Sequence, residues 1–364
     1  MKIAILTQPL GHNYGGILQN YALQKVLIKL GHEPITLEKD YRQHISLLQL
    51  VLEFPKRIIT KYFFKKREYI LSEKQHNVHY KKVWKPLFHF VSNFINHIYV
   101  KNYFSTNIEK YDAFIVGSDQ VWRPRYNKGI LEIMYLSFIP QNINVKKIAY
   151  GASFGTAHWE YNEEQTSKCK ILVKNFDAVS VREFDGIDMC RKYLNRNDAI
   201  NVLDPTLLLE KEDYLKICND IHISSENLLF AYILDVDNES KSILMNIAEN
   251  FGLQLKLVGA EECCTLTVEE WIAMFRDAKM VITDSFHGTI FSIIFNKEFY
   301  SISNQSRGGS RFESLLSLFN LSNRLYNNIL DIEPTLGLIN WDEVEANKRL
   351  RQKVSIDYLI KNLS

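Results

Sequence analysis

One stretch of the sequence, from Met280 to Phe299, constrains the fold most because its pattern changes once in the middle. It begins with an apolar run at Met280–Ile282 that is typical of a buried β-strand, and this run breaks at a polar turn over residues 283–285. Apolar residues then recur at intervals of three and four, which predicts a helix. A helix that begins directly after a strand leaves backbone N–H groups without intrahelical partners, and such a start binds anions. The stretch therefore predicts a strand, a turn and a helix whose start faces a ligand.

The residues at this turn suit a ligand that carries phosphate. Histidine is the side chain that most readily exchanges a proton near neutral pH, so His287 is a candidate proton donor. Gly288 has no side chain, so a ligand can approach the backbone closely. Asp284 is either a carboxylate that the helix start keeps ionised, and thus a candidate base, or simply a helix cap. We therefore expect the ligand to lie against Ser285 and Gly288, with His287 beside it.

The N-terminus repeats the same unit. Lys2–Leu6 reads as a buried strand, a loop runs from Gln8 to Gly16, and a helical pattern extends from about Ile17 to Leu30. The glycines of the loop do not match GxGxxG, so no dinucleotide site is predicted. The loop is either a structural strand–helix turn or the lining of a cleft. In the second case the residues that line it are Asn13, Tyr14, Gly15 and Gly16.

Three further predicted strands are each followed closely by a polar side chain. Residues 112–116 are followed by Asp119, residues 147–150 by Ser153, and residues 178–181 by Arg182. Because open α/β sheets bind ligands at the carboxyl ends of their strands, we expect these three side chains to converge.

The strand and helix rhythm resumes after Asp204-Pro205-Thr206, which reads as a hinge. A chain of 364 residues suits two domains, each able to bury a core. We predict an N-terminal Rossmann-like domain over residues 1–205, a C-terminal Rossmann-like domain over 206–335, and C-terminal helices over 336–364.

Residues 44–106 break this rhythm and read as a helical insertion in the first domain. Within it, Lys and Arg outnumber Asp and Glu by 11 to 3, and aromatic residues are frequent. The segment is either a solvated helical insertion or a basic, aromatic patch that meets an anionic membrane surface or a lipid-linked acceptor.

Composition narrows the class of protein and its compartment. The net charge is only +2, so the chain is not a general polyanion binder, and no nucleic acid is expected as partner. Its five cysteines lack the spacing of metal ligands and fit a reducing compartment. No apolar run approaches the length of a membrane span. We expect a cytoplasmic protein, with peripheral binding at the inner face of the membrane as the alternative that the basic insertion leaves open.

Six motifs occur in a fixed order: GSDQVW, YGASFG, SVRE, LDPTLLL, TDSFHGTIFSIIF and SRGGSRFESLL. Together, over residues from about 13 to about 320, they resemble the polysaccharide pyruvyl transferase family. The resemblance implies two Rossmann-type domains in a GT-B-like arrangement, with the acceptor on the N-terminal side and the donor phosphate on the C-terminal side. It also implies transfer of a pyruvyl group from phosphoenolpyruvate to two hydroxyls of a sugar, giving a cyclic ketal during surface polysaccharide (capsule or exopolysaccharide) synthesis.

The resemblance also implies roles for single residues. Arg182 is similar in position to the arginine that the family uses on the donor, and His287 matches the family's histidine. The family often has an arginine where this chain has Ser285, and Arg307 and Arg311 in the following loop can supply the missing charge.

The chemistry adds a general acid and a base. His287 can protonate the methylene group or the leaving phosphate, and the candidate bases are Asp119 and Asp284. Ser153, like Tyr14, fits the lining of the acceptor cleft. No metal or cofactor is expected, since phosphate leaves by C–O cleavage and arginines can hold it.

Two other functions remain open from the sequence. One is a GT-B glycosyltransferase that uses a nucleotide sugar, although no base or ribose signature is evident. The other is a non-catalytic member that binds a phosphorylated ligand, which the serine at position 285 favours.

Overall fold

The structure is a computed structural model that describes residues 1–11, 13–39, 85–223, 227–259, 266–303, 308–332 and 339–364. Most of the predicted insertion at 44–106 lies outside the described residues, as does Arg307. Among the helices that the structure describes, none has both the length and the apolarity to cross a membrane.

The first sheet has seven strands, all parallel, in the order β3-β2-β1-β4-β5-β6-β7. Their bounds are β1 Lys2–Leu6, β2 Glu33–Lys39, β3 His97–Val100, β4 Ala113–Val116, β5 Lys146–Ala152, β6 Ala178–Val181 and β7 Ile200–Asn201. This is the order of a dinucleotide-type Rossmann sheet, whose strands are buried on both faces and therefore read as continuous apolar runs. The helices that the structure describes around it are α1 Tyr14–Lys29, residues 85–94, α2 Glu163–Val173 and α3 Phe184–Leu194.

The second sheet has five parallel strands in the order β12-β11-β10-β8-β9. Their bounds are β8 Leu228–Tyr232, β9 Gln254–Val258, β10 Ala278–Thr283, β11 Glu298–Ile302 and β12 Leu325–Tyr326. The helices before and between these strands are α4 Lys211–Leu215, α5 Asn238–Asn250, α6 Val268–Asp277, α7 Phe286–Ile294 and α8 Gly309–Leu318. The chain thus forms two parallel α/β units in sequence, and the predicted strand–turn–helix at residues 280–299 is β10 followed by α7.

The expectation of helix throughout residues 44–106 is wrong at its C-terminal end. His97–Val100 forms strand β3, which pairs in parallel with β2 at the edge of the first sheet. The run HIYV combines aromatic and β-branched residues, which favour strands. Its half-exposed edge position gives it no apolar alternation by which the sequence could reveal it.

Tyr14 joins the two domains rather than lining a cleft. Its ring is buried, lies 5.2 Å from Trp271 in a stacked arrangement and meets Tyr232 edge-on at 6.3 Å. Its hydroxyl donates a hydrogen bond of 2.7 Å to the carbonyl of Leu266. The first helix of the chain is therefore anchored in the core of the second domain.

The predicted C-terminal helices are a single helix, α9, from Trp341 to Leu363. Its first turns contact the second domain, where Asn320 donates to Glu343 at 2.7 Å. Its last turns contact the first sheet, where the Tyr358 hydroxyl donates to the Ala149 carbonyl at 2.9 Å. The helix therefore carries the chain back across the domain boundary.

We predict that α9 holds the domains together through its buried face. Leu359 has no exposed surface, so Leu359→Ala removes buried methyl groups and is expected to lower the free energy of unfolding by about 3 kcal/mol. Leu350 on the same helix is 64% exposed, and Leu350→Ala is the matched control, expected to change stability by less than about 0.5 kcal/mol. Urea denaturation of both variants measures the difference. A loss for Leu359→Ala no larger than that for Leu350→Ala would show that the buried face of α9 does not contribute by its packing.

Candidate functional site

A cleft of about 360 Å³ lies between the carboxyl ends of the two sheets. The N-terminal domain lines it with Gln8, Pro9, Asn13, Gly16, Asp119, Gln120 and Tyr126. The C-terminal domain lines it with Leu234, Asp284, Ser285, Phe286, His287, Arg311 and Phe312. A polar cleft at a domain boundary, at the ends of parallel strands, is where such folds bind small molecules.

Helix α7 begins at this cleft. Ser285 caps it by accepting a hydrogen bond of 3.3 Å from the Gly288 N–H. Gly288 itself does not line the cleft. A Cβ there would lie 2.3 Å from Oγ1 of Thr283, so glycine lets the helix start pack against the end of β10.

Asp284 lines the cleft and also fixes the loop after β8. Its carboxylate accepts the N–H of Leu234 at 2.7 Å and the N–H of Asp235 at 3.1 Å. Both oxygens thus have a backbone donor, which ties two neighbouring strand ends of the second sheet together.

Below the cleft lies a cluster of buried charges. Arg182 donates to Asp204 at 2.6 Å through Nη1 and to Asp119 at 3.1 Å through Nη2. Nε2 of His287 lies 3.5 Å from Oδ2 of Asp204, and Nη1 of Arg311 lies 3.7 Å from Oδ1 of Asp119. Buried charges remain ionised only when they are paired, so the cluster forms as a unit.

The carboxylates of this cluster remain ionised despite their burial. Burial raises the pKa of Asp204, but His287 and Arg182 outweigh it and hold that pKa well below its usual range. Burial likewise raises the pKa of Asp119, and Arg182, His287 and Arg311 bring it below normal. Burial, together with repulsion by Arg182, lowers the pKa of Arg311 to about 10.

An aromatic ring separates the two guanidinium groups. The Cζ atoms of Arg182 and Arg311 lie 5.0 Å and 4.8 Å from the ring centroid of Phe286. The face of an aromatic ring attracts cations, so Phe286 offsets part of the repulsion between the two arginines. Arg182, which sequence reasoning assigned to the donor, lies behind this ring and is engaged with carboxylates. Arg311 is the arginine that lines the cleft.

The first turn of α1 meets His287 from the first domain. Asn13 caps α1 by accepting the Gly15 N–H at 2.9 Å. A Cβ on Gly15 would lie 2.0 Å from Nδ1 of His287, so the imidazole occupies the space that a side chain would fill. A Cβ on Gly16 would meet only ordinary contacts, at 3.8 Å.

The cleft contains many, but not all, of the residues predicted for the site. The predicted residues that line it are Asn13, Gly16, Asp119, Asp284, Ser285, His287 and Arg311. Those placed outside the lining are Tyr14, Gly15, Ser153, Arg182 and Gly288. Ser153 is buried and accepts the Gly155 N–H at 3.1 Å, which is a structural contact.

Asp204 was read only as part of a hinge, although it contacts both Arg182 and His287. A carboxylate before proline at the end of a predicted strand was the available signal. Among the described residues, no group of three His, Cys, Asp or Glu side chains is arranged to hold a metal ion.

Comparison with known sequences agrees with the resemblance of the motifs. The family model described as polysaccharide pyruvyl transferase matches residues 13–306. No curated protein matches the sequence.

Comparison with solved structures addresses the fold. UGT89C1 of Arabidopsis thaliana complexed with UDP-L-rhamnose has a TM-score of 0.51 at 10% identity, covering 99% of this chain and 98% of that chain. UDP-N-acetylglucosamine 2-epimerase from Rickettsia bellii has a TM-score of 0.42 at 10% identity, covering 99% and 98%. UDP-GlcNAc 2-epimerase from Methanocaldococcus jannaschii, in complex with UDP-GlcNAc and UDP, has a TM-score of 0.43 at 12% identity, covering 96% of this chain and 99% of that chain. The predicted GT-B-like arrangement of two Rossmann-like domains is confirmed.

We predict that the buried cluster makes stability depend on pH below about 4. The folded pKa of Asp204 lies below its unfolded value of about 3.9, so its contribution is present above that pH and is lost as pH falls through the folded pKa. Asp204→Asn leaves Arg182 with Asp119 alone and is expected to lose about 3 kcal/mol at neutral pH. Its deficit relative to wild type should shrink as pH falls below about 4.

Urea denaturation at several pH values measures both effects. Asp188→Asn, which removes an exposed pair with Arg191, is the control and should be nearly neutral throughout. A deficit for Asp204→Asn that stays constant down to acid pH would show that its charge does not matter.

Proposed function

The chain belongs to the polysaccharide pyruvyl transferase family, and from this premise we propose that it moves the pyruvyl group of phosphoenolpyruvate onto two hydroxyls of a sugar. The product is a cyclic ketal, and phosphate is released. The observation that carries the proposal is the unequal chemistry of the two cleft walls. One wall suits a small dianionic donor, and the other suits an uncharged polyol.

The wall from the C-terminal domain suits the donor. Phosphoenolpyruvate carries a phosphate and a carboxylate, which need a cation and oriented N–H donors. Arg311 lines this wall, and helix α7 begins there with the positive end of its dipole. Because Arg182 is already engaged with Asp119 and Asp204, we assign the direct contact with donor charge to Arg311.

The opposite wall suits the acceptor. Apart from Asp119, its side chains are uncharged, and they include the amides of Gln8 and Gln120 and the ring of Tyr126. Tyr126 is 42% exposed, although it lies in a cleft. Amide groups can pair with hydroxyls in either direction, and an aromatic face covers the apolar face of a sugar ring.

Arg123 holds this aromatic ring in place from behind. Its Cζ lies 5.2 Å from the centroid of Tyr126. Its guanidinium donates to Glu160 at 3.1 Å and 3.0 Å and to Oε1 of Gln120 at 3.0 Å. The acceptor wall is therefore pre-formed, which lowers the entropy lost on binding.

The reaction balances with the groups present. One sugar oxygen bonds to C2 of phosphoenolpyruvate while C3 gains a proton; the bond between C2 and the phosphate oxygen then breaks, and the second sugar oxygen bonds to C2. Each hydroxyl loses one proton, of which one ends on C3 and the other on the phosphate. His287, at the start of α7, is the group that we assign to donate a proton.

Two carboxylates in the cleft remain candidates for the base. The pKa of Asp119 is held low by its cationic neighbours, so its carboxylate is a weak proton acceptor that instead orients Arg311 and Arg182. Asp284 lines the C-terminal wall. Both carboxylates stay candidates for the base, since hydrogen bonds that orient a carboxylate, as the N–H groups of Leu234 and Asp235 do for Asp284, also make it a weaker proton acceptor.

We predict that phosphoenolpyruvate stabilises the wild-type protein against thermal unfolding. A ligand at a hundred times its dissociation constant adds about 2.7 kcal/mol. Arg311→Ala is expected to abolish most of this shift. Tyr126→Ala is the matched control on the opposite wall, expected to keep the shift for phosphoenolpyruvate and to raise the acceptor KM.

Differential scanning fluorimetry compares the three proteins. A shift with a nucleotide sugar and none with phosphoenolpyruvate would overturn pyruvyl transfer in favour of glycosyl transfer. Binding of phosphoenolpyruvate without phosphate release on any acceptor would indicate a non-catalytic member.

We also propose that the acceptor is carried on a lipid at an anionic membrane surface during surface polysaccharide synthesis. The basic composition of residues 44–106 supports this. Vesicles with anionic lipid are expected to bind the chain and to release it at high salt. Replacing the lysines and arginines of residues 44–84 by glutamine should weaken that binding, as a flotation assay would measure. Undiminished binding would remove the basic segment from the proposal.

A further inference from the structure

We propose that Asp204 is a positioning residue for His287, and that it commits Nε2 of the imidazole so that Nδ1 is the nitrogen that exchanges a proton with substrate. The assignment of the two nitrogens is a property of the protein alone. Its use in catalysis rests on the proposed function. The evidence comes from the two opposite edges of one ring.

The Nε2 edge faces a carboxylate that is away from the cleft. Asp204 has no exposed side-chain surface and is not among the residues that line the cleft. Its Oδ2 atom lies 3.5 Å from Nε2 of His287. A ligand in the cleft therefore reaches the other edge of the ring.

The carboxylate is itself held in one orientation. Oδ1 accepts the backbone N–H of Thr206 at 3.0 Å and its hydroxyl at 2.6 Å. Oδ2 accepts Nη1 of Arg182 at 2.6 Å. With Oδ1 held by Thr206 and Oδ2 held by Arg182, Asp204 cannot turn away from the imidazole without breaking buried hydrogen bonds.

The Nδ1 edge faces the first turn of α1 on the side of the cleft. A Cβ on Gly15 would lie 2.0 Å from Nδ1 and 2.2 Å from Cγ, so the ring stands against a bare backbone. Asn13, two residues before Gly15, and Gly16, directly after it, line the cleft. The absence of a side chain at Gly15 thus leaves room for the imidazole ring, and Asp204 determines which ring nitrogen faces away from the cleft.

The arrangement has a definite electrostatic result. Among the described residues Nε2 has no hydrogen-bond partner, and Oδ2 of Asp204 is a carboxylate oxygen 3.5 Å from it. An ionised carboxylate beside one ring nitrogen favours the neutral tautomer that carries its proton on that nitrogen. Neutral His287 keeps its proton on Nε2 and presents the Nδ1 lone pair towards the cleft. When the ring is protonated, the new N–H is at Nδ1, and ionised Asp204 balances the charge.

The tautomer of His287 can be measured directly. Two-dimensional NMR that correlates imidazole nitrogens with the carbon-bound ring protons distinguishes the two neutral forms. The chain has ten histidines, so the His287 signals are assigned by their loss in His287→Gln. At a pH at which its own ring-nitrogen shifts show a neutral ring, we expect the Nε2–H tautomer. The Nδ1–H tautomer at this pH would overturn the proposal.

Two matched variants separate positioning from general stability. Gly15→Ala is expected to displace the ring and shift its NMR signals. Gly16→Ala should leave those signals in place, because a Cβ at position 16 would make only ordinary contacts at 3.8 Å. Asp204→Asn should yield a mixture of tautomers. If that variant does not fold, Thr206→Val, which removes one hydrogen bond from Oδ1, should shift the tautomer ratio in the same direction. Unchanged His287 signals in Gly15→Ala would also overturn the proposal.

Addition of phosphoenolpyruvate distinguishes failure of this inference from failure of the proposed function. Binding that moves the Nδ1 resonance more than the Nε2 resonance supports both. No binding, with the Nε2–H tautomer intact, leaves the positioning role and removes the donor. Binding that moves Nε2 and leaves Nδ1 in place retains the donor and rejects the assignment of the nitrogens.

Discussion

The pairing of Arg182 with two buried carboxylates is the interaction on which the rest of the site depends. Asp119 follows β4, Arg182 follows β6, and Asp204 follows β7, so the ion pairs form only when these strands are aligned in one sheet, with β5 between β4 and β6. Isolated in the interior, any one of these charges would cost several kcal/mol. Joined, one positive and two negative charges form a buried floor with a net charge of −1. His287 and Arg311 from the second domain reach this floor, so the same cluster that closes the first sheet also orients the opposite wall of the cleft.

The regular elements were predictable because apolar runs between glycine and polar turns leave few alternatives. The strands Lys2–Leu6 and Ala178–Val181 have the same bounds in the sequence prediction and in the structure. Strand β3 was missed because an edge strand of four half-exposed residues carries too short a pattern, and because its basic neighbours suggested a different kind of segment.

The location of the site was more predictable from the sequence than the role of each residue in it. The rule that ligands bind at the carboxyl ends of parallel strands located the cleft, and a helix start after a strand located His287. Roles depend on which charges meet which, and that is decided by side-chain packing between segments far apart in sequence. Arg182 and Asp204 show this: one was expected to meet the donor and the other to act as a hinge, and they bind each other.

The path of α9 determines how the two domains can move. The chain crosses from the first domain to the second near residue 204, and α9 returns beside that crossing, where Gln352 donates to the Leu207 carbonyl at 2.8 Å. Two adjacent chain connections between the domains permit rotation about one axis and resist translation and twisting of one domain against the other. Groups near that axis, such as Asp204, move least when the cleft opens, and groups far from it move most. Rotation about that axis would change the distance between Arg311 and Asp119 more than the distance between His287 and Asp204.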